Sequence, residues 1–368
     1  MMSGRLSNGL SGGSSKPRHD PHTGPDPHAE IRNDAKTVNI ALQGGGAHGA
    51  FAWGVLDYLL EDGRLDVYGI SGASAGAMNA VVLAHGVSTG GREGGRAALE
   101  GFWRRVSDAG TYAGVQPFQQ ESPLEILSME NAPVFAMLDM MTRLWSPYQF
   151  NPLNLNPLRT ILEASVDFPR LRTCPRTHLH LTATNVRSGK VRVFGTAEIS
   201  PDVVMASACL PLVFQAVEID GEAYWDGGFM GNPAIFPLIY DSPSRDVIVV
   251  HVNPLCRPEV PRTAVEIQNR INEISFNSSL MREMRAIAFV TRLIDEGKIS
   301  DHAMKRMLIH SIAADDVMQT LNVVSKMNTN WEFLTRLRDV GRARAELWLN
   351  DSFDKIGHDS TADLDAYL

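Results

Sequence analysis

The sequence predicts a three-layer α/β fold with a central mixed, mostly parallel sheet, to which a helical cap and C-terminal helices are added. An apolar strand, a glycine-rich loop and a helix follow one another twice, first over 38–60 and then over 67–86. This order is typical of parallel sheets, whose strands are connected through helices. Later hairpin patterns predict antiparallel strands, so we expect the complete sheet to be mixed.

The first unit starts with Val38, Ile40 and Leu42, whose apolar side chains predict a short buried strand. Apolar residues at helical spacing follow the loop: Phe51, Val55, Leu59 and Leu60. The second unit combines the strand VYGISG with the helix SAGAMNAVVLAHG. Both units therefore place a glycine-rich turn between the end of a strand and the start of a helix.

Further strands are predicted in the second half of the chain. HLHLTATN and KVRVFG are separated by a short polar turn and predict a hairpin. A second hairpin, VEIDGEAYWDGG, turns at Asp220, and DVIVVHVNP predicts one more buried strand.

Composition divides the chain into segments. Residues 1–36 are rich in Gly, Ser, Pro and His and predict a disordered tail, because they cannot bury enough apolar surface. Residues 37–255 form the predicted main domain, with a helical insertion at about 112–165, and 256–368 form a predicted C-terminal helical extension. Several apolar side chains of the insertion fit either a lid that lines a channel or a buried hairpin: Leu127, Val134, Phe135, Leu138, Met141, Leu144 and Trp145.

The composition argues against several classes of function. The formal net charge of −8 repels phosphate backbones, which excludes nucleic acid as an expected partner, and it disfavours purely electrostatic docking to anionic lipid. Three widely spaced cysteines indicate a reduced protein without a structural metal. With no signal-peptide pattern and no run of about 18 apolar residues, the expected location is cytoplasmic, with peripheral membrane contact left open.

A serine lies between two glycines in Gly72-Ala73-Ser74-Ala75-Gly76, where the second strand ends and a helix begins. A Gly-x-Ser-x-Gly run in this context is typical of a nucleophile elbow, whose strained turn projects the serine hydroxyl outward. The adjacent helix N-terminus favours developing negative charge. A simple turn of small residues explains the same pattern equally well.

The first loop, Gly44-Gly45-Gly46-Ala47-His48-Gly49, brings several backbone N–H groups together. Such a loop suits an oxyanion, which each donor stabilises by about 3 kcal/mol, or a phosphate. The glycines also match the dinucleotide pattern G-x-G-x-x-G, but the second strand does not end in the acidic residue that this pattern requires.

Asp226 precedes Gly227 and Gly228 directly after a hairpin strand. A carboxylate on a glycine-rich turn can approach a serine closely, although Asp-Gly is also a common turn dipeptide. Together, the three motifs resemble the patatin-like phospholipases, a family of lipid acyl hydrolases, over residues 37–255. The segments that carry the resemblance are ALQGGGAHGAF, GISGASAG, TATNVRSGKVRVF and MASACLPLVFQAVEIDGEAYWDGG.

The resemblance implies a patatin-like fold and a Ser–Asp dyad, without a catalytic metal or a cofactor. By motif, Ser74 is the nucleophile and Asp226 the base. The residues of the implied oxyanion hole are Gly44, Gly45, Gly46, Ala47 and Gly49. The residues that flank the dyad are Gly72, Gly76, Gly227 and Gly228. Many members have Arg or Lys where this chain has His48, and histidine is mostly neutral near pH 7.

Several alternatives stay open. The expected substrate is a carboxylic ester of a lipid, and a phospholipid is the first expectation. The enzymatic alternatives are a general carboxylesterase, a thioesterase or a polyester hydrolase. His251 follows Asp226 in the chain order of a Ser–His–Asp triad. A nucleotide- or lipid-binding regulator that uses the glycine loop is the non-enzymatic alternative. The sequence does not specify head group, acyl length or oligomeric state.

Overall fold

The computed structural model describes residues 35–112, 144–173, 176–301 and 303–367. Within these ranges, eight strands form one sheet. The strands are β1 (Lys36–Leu42), β2 (Leu65–Gly72), β3 (His178–Asn185), β4 (Val191–Gly195), β5 (Val217–Ile219), β6 (Glu222–Asp226), β7 (Asp246–Val250) and β8 (Leu308–Ile312).

The sheet has the order β5-β6-β3-β2-β1-β7-β8, with β4 also paired to β3. Strands β3, β2, β1, β7 and β8 run parallel to one another, whereas β4 and β6 pair antiparallel with β3, and β5 pairs antiparallel with β6. The predicted mixed sheet is therefore confirmed. Both predicted hairpins are also confirmed, because β3 pairs with β4 and β5 pairs with β6.

Helices occupy most of the connections between strands. They are α1 (Gly49–Asp62), α2 (Ala75–Tyr112), α3 (Pro147–Phe150), α4 (Pro157–Glu163), α5 (Phe168–Arg172), α6 (Pro201–Ser207), α7 (Phe236–Asp241), α8 (Ala264–Asp295), α9 (Asp315–Met318) and α10 (Trp331–Ser352). Helix α2 consists of two segments that meet at Gly90 and Gly91, where the backbone is not helical. Among the described residues, no helix is both long enough and apolar enough to cross a bilayer.

The core lies on both faces of the sheet. Along β1, Ile40 and Leu42 pack into one hydrophobic cluster, and Ala41 packs into a second. Side chains of α1, α2 and α10 belong to the first cluster, while side chains of α7 and α8 belong to the second. Because successive residues of a strand point to opposite faces, these two clusters define helix, sheet and helix layers.

The C-terminal part of the chain is built into the same layers. Strand β8 pairs in parallel with β7, although the sequence predicted only helices beyond residue 262. Helix α10 packs against α1 so closely that a Cβ on Gly341 would collide with the carbonyl oxygen of Phe51. The predicted domain boundary between residues 255 and 256 therefore falls between two paired strands of one sheet and does not separate two cores.

Two of the predicted segments lie largely outside the described residues. The tail 1–36 is described only from residue 35, and of the insertion at about 112–165, residues 113–143 lie outside the described ranges. The predicted lid residues Leu127, Val134, Phe135, Leu138 and Met141 lie outside the described ranges. Leu144 and Trp145 are described and are exposed.

Candidate active site

Ser74 occupies the sharp turn between β2 and α2. Its φ of 54° lies in the left-handed region, which non-glycine residues adopt only where the surroundings enforce it. The N–H of Ser74 donates to the carbonyl oxygen and to the hydroxyl of Ser207, both at 3.1 Å. A Cβ on Gly76 would collide with the carbonyl oxygen of Leu42, so the turn requires glycine there. The structure thus has the strained turn that the Gly-x-Ser-x-Gly run predicts.

Asp226 reaches this turn because of strand register. On β3, Leu181 pairs with Gly72, the last residue of β2, and Ala183 pairs with Asp226, the last residue of β6. Strand β4 pairs with the same stretch of β3 and so occupies one of its two edges. Both pairs therefore lie along the other edge of β3. The ends of β2 and β6 therefore meet, and this junction places Asp226 beside the turn that carries Ser74.

The Asp226 side chain is fully buried. Its Oδ1 accepts a hydrogen bond from the N–H of Gly228 at 2.7 Å, and its own N–H donates to the carbonyl oxygen of Cys209 at 2.8 Å. Burial raises the pKa of the Asp226 carboxyl to about 6. The N–H of Gly228, the hydroxyl of Ser74 and the charge of Lys326 each act in the opposite direction on this pKa.

The second carboxylate oxygen of Asp226, Oδ2, is unpaired among the described residues. This oxygen is buried, and no donor among the described residues lies within 3.5 Å of it with the geometry of a hydrogen bond. The Ser74 hydroxyl is nevertheless close enough to lower the pKa of this carboxyl. The two side chains are therefore neighbours whose hydrogen bond is not fully formed, which is common at catalytic sites without a bound substrate.

The glycine loop lies against the serine turn. A Cβ on Gly44 would lie only 2.6 Å from the Cβ of Ser74, so only glycine permits this approach. The N–H of Gly44 donates to Oδ1 of Asn232 at 2.6 Å. The N–H of Gly49 donates back into the short 3₁₀ helix Gly46–His48. Two of the five predicted oxyanion donors are thus already occupied.

Three N–H groups of the loop have no acceptor among the described residues, and these belong to Gly45, Gly46 and Ala47. Gly46 and Ala47 also line the cavity that Ser74 lines. Gly46 is exposed, whereas Gly45 and Ala47 are buried, and a buried N–H without a partner is rare in folded proteins. These amides are therefore the part of the loop that can receive an oxygen atom of a ligand beside Ser74.

A cavity of about 280 Å³ opens at Ser74. Its walls come from α2, α4, the segment after α6 and the region near Lys326, and most of the lining side chains are apolar: Phe102, Trp103, Val106, Leu158, Ile161 and Val213. Such a lining excludes water and suits a hydrocarbon chain.

A buried network of amides supports the glycine loop from below. Oε1 of Gln43 accepts hydrogen bonds from the N–H groups of Val252 and Asn253, both at 3.0 Å. Nδ2 of Asn253 donates to the carbonyl oxygen of Gly44 at 2.9 Å. Nε2 of Gln43 donates to Oδ1 of Asn277 at 3.0 Å. These residues and Asn232 could not be recognised from the sequence, because an isolated Asn or Gln carries no local signature.

His48 supplies no positive charge to the loop. It is buried and its Nε2 lies 2.8 Å from the hydroxyl of Ser325. Burial, followed by the charge of Lys326, holds the pKa of His48 well below its usual value. The imidazole is therefore neutral near pH 7, as its substitution for Arg or Lys led us to expect.

The structure does not bring His251 to Ser74. The His251 side chain packs with Tyr367, whose hydroxyl lies 2.9 Å from its Nε2, and Tyr367 belongs to the hydrophobic cluster on the other face of the sheet. Burial lowers the pKa of His251 to about 4. Cys209 is also unsuited to catalysis, because burial raises the pKa of its thiol to about 12.

The architecture is that of an α/β enzyme with a serine at a strand-to-helix turn. Residues 40–239 match the family model described as patatin-like phospholipase. Since this match spans more than half of the chain, the protein belongs to the patatin-like phospholipase family. It is accordingly a hydrolase of ester bonds, in the class of lipid acyl hydrolases. No curated protein matches the chain.

Solved structures that match this chain include VipD from Legionella pneumophila, at 16% identity and a TM-score of 0.39, covering 85% of this chain and 67% of VipD. A chain of the ExoU–SpcU complex from Pseudomonas aeruginosa matches at 17% identity and a TM-score of 0.34, covering 87% of this chain. This chain spans 52% of the length of that second relative.

The Asn232–Gly44 hydrogen bond generates a prediction. Asn232→Ala leaves the N–H of Gly44 without its acceptor, which costs about 1–3 kcal/mol and loosens the loop. We expect kcat/KM for a short-chain nitrophenyl ester to fall about tenfold to a hundredfold. Asn350→Ala, at an exposed position of α10, is the control and should leave kcat/KM unchanged. Equal kcat/KM in the two variants would contradict a role for Asn232 in holding the loop.

Proposed function

We propose that the protein is a serine acyl hydrolase that cleaves carboxylic esters of lipids, phospholipids foremost, through a Ser74–Asp226 dyad and a glycine-loop oxyanion hole. One observation carries the proposal: buried Asp226, whose Oδ2 has no partner among the described residues, lies next to Ser74, and Ser74 lines an apolar cavity together with Gly46 and Ala47. This arrangement supports the proposal, because acyl transfer requires a base, a nucleophile and hydrogen-bond donors close together.

In the first step, Oδ2 of Asp226 accepts the proton of the Ser74 hydroxyl while Oγ of Ser74 bonds to the ester carbonyl carbon. The carbonyl oxygen becomes an oxyanion, and N–H groups from the set Gly45, Gly46 and Ala47 donate to it. Each such donor contributes about 3 kcal/mol in the transition state. The bond to the alcohol then breaks, and the alcohol leaves with the proton from Asp226.

In the second step, a water molecule takes the place of the alcohol. Asp226 accepts a proton from this water, whose oxygen bonds to the carbonyl carbon of the acyl-serine. The bond between that carbon and the Ser74 oxygen then breaks, Ser74 regains the proton from Asp226, and the carboxylic acid is released. The same carboxyl group therefore acts as base and acid in both halves of the cycle.

The substrate class follows from the cavity and from the family. An apolar cavity beside Ser74 fits the acyl chain of a lipid better than a polar ester. Family membership in the patatin-like phospholipases supports phospholipids within that class. It also leaves the nucleotide-binding alternative without support, since the loop is then part of a hydrolase.

Contact with a lipid surface is a further part of this proposal. Leu153, Leu155 and Leu212 are 78%, 69% and 62% exposed. Their two segments are joined beside the cavity, because Nε2 of Gln215 donates to the carbonyl oxygen of Asn151 at 2.9 Å. Exposed leucines on two joined segments next to an apolar cavity are suited to rest on an apolar surface.

Substitution of the dyad tests the mechanism. Ser74→Ala removes the nucleophile and Asp226→Asn removes the base, so each variant should lower kcat by at least about a thousandfold. Turnover should be measured on phospholipid, triacylglycerol, thioester and short-chain esters. We expect wild type to prefer long-chain phospholipid; preference for short-chain esters would favour a general esterase.

The control for these variants is His251→Ala, which alters a buried histidine outside the cavity. It should keep kcat within a few-fold of wild type, and urea unfolding should show that all three variants fold. Substantial turnover by folded Ser74→Ala would refute the proposed nucleophile, and loss of turnover in folded His251→Ala would favour a triad.

The pKa of Asp226 predicts a pH profile. A general base must be ionised, and burial raises the pKa of Asp226 to about 6. Below pH 6, kcat/KM should therefore fall about tenfold per pH unit, and above this value it should level off. Steady-state rates with an uncharged short-chain ester between pH 4 and 9 measure this acidic limb, the part of the profile in which kcat/KM falls with decreasing pH. An apparent pKa close to about 4, the value of a free aspartate, would contradict burial of the ionising base.

A further inference from the structure

Lys326 reaches the candidate active site from the far end of the chain. It lies in the 3₁₀ helix Val324–Met327, which follows β8 and precedes α10. The side chain is partly accessible from the cavity that Ser74 lines, and its charged end is enclosed by protein. Its backbone packs on the glycine loop, since a Cβ on Gly46 would collide with the Lys326 carbonyl oxygen.

The Lys326 ammonium group is held by neutral partners. Nζ donates to Oδ1 of Asn253 at 2.9 Å and to Oδ1 of Asn272 at 2.8 Å. It also lies 5.3 Å from the centre of the Phe276 ring. No ion pair of Lys326 is present among the described residues. Its positive charge is thus not cancelled by a contacting carboxylate.

Three ionisable groups act on Lys326 or are acted on by it: Asp226, Glu273 and His48. Glu273 is already paired with Arg257 at 2.6 Å and with Arg270 at 3.2 Å. His48 is neutral because its pKa lies well below the usual value. Asp226 therefore remains as the group with an open carboxylate oxygen that the Lys326 charge can affect.

The path from Lys326 to Asp226 is short. Phe276 lies under the Lys326 ammonium, and a Cβ on Gly228 would lie 2.7 Å from Cδ1 of Phe276. Gly228 in turn donates its N–H to Asp226. An apolar ring between the two charges excludes water, so their attraction is screened less than it would be at the surface.

We propose that Lys326 is a positioning residue whose positive charge, brought in from the C-terminal segment, stabilises the carboxylate of Asp226 as the base. Lys326 acts through Asp226 and needs no contact with the reacting atoms. The proposal rests on the proposed function, in which Asp226 is the base. It makes the segment around Val324–Met327 a part of the catalytic centre.

The test compares pH profiles of kcat/KM for an uncharged short-chain ester. Lys326→Met removes the charge, and Asn272→Asp places a carboxylate against the ammonium without a change in size. In both variants the acidic limb should move upward from about pH 6 by about one unit. At pH 6 this shift lowers kcat/KM about fivefold relative to wild type, whereas at pH 9 the deficit should disappear.

Lys298→Met is the matched control, because Lys298 is exposed and pairs with Glu296 at 2.6 Å. Its profile should equal that of wild type. If Lys326→Met does not fold, the pH profile of Asn272→Asp alone tests the proposal. Equal losses at every pH, with the limb still near 6, would overturn the proposal and leave Lys326 a packing residue. Activity that survives in Ser74→Ala would instead refute the proposed function itself.

Discussion

The site depends on one junction in the sheet, where β2 and β6 meet end to end along a single edge of β3. The register of the two pairings leaves one residue of β3, Thr182, between the partner of Gly72 and the partner of Asp226. Residues separated by more than 150 positions in the chain are thereby brought together without a flexible connection. Serine and carboxylate are both positioned by strands, which hold a site more precisely than loops do.

A buried carboxylate is costly, and its surroundings decide whether it can act as a base. Burial alone favours the protonated form of Asp226, and the N–H of Gly228 acts against this effect. Hydrogen bonds from the backbone and a nearby positive charge both stabilise the ionised form. The resulting pKa of about 6 is a compromise: the group is ionised at pH 7, yet it is a stronger base than a solvated aspartate.

The parts of the site that the sequence predicts are those set by near neighbours in the chain. Ser74 needs glycine at position 76 to make its turn, and Asp226 follows a recognisable hairpin, so both leave local patterns. Which loop amides are free could not be predicted, because Asn232 occupies the N–H of Gly44 from a distant segment. Lys326 was missed for the same reason. Strand β8 was missed because five residues are too few to show a period within a largely helical region.

A structure of the protein after reaction with a fluorophosphonate ester is the most direct measurement of whether these groups converge. We predict a phosphorus atom bonded to Oγ of Ser74, with its phosphoryl oxygen about 3 Å from the N–H groups of Gly46 and Ala47 and the alkyl chain in the apolar cavity. A phosphorus atom on another residue, or a phosphoryl oxygen directed away from the glycine loop, would contradict it.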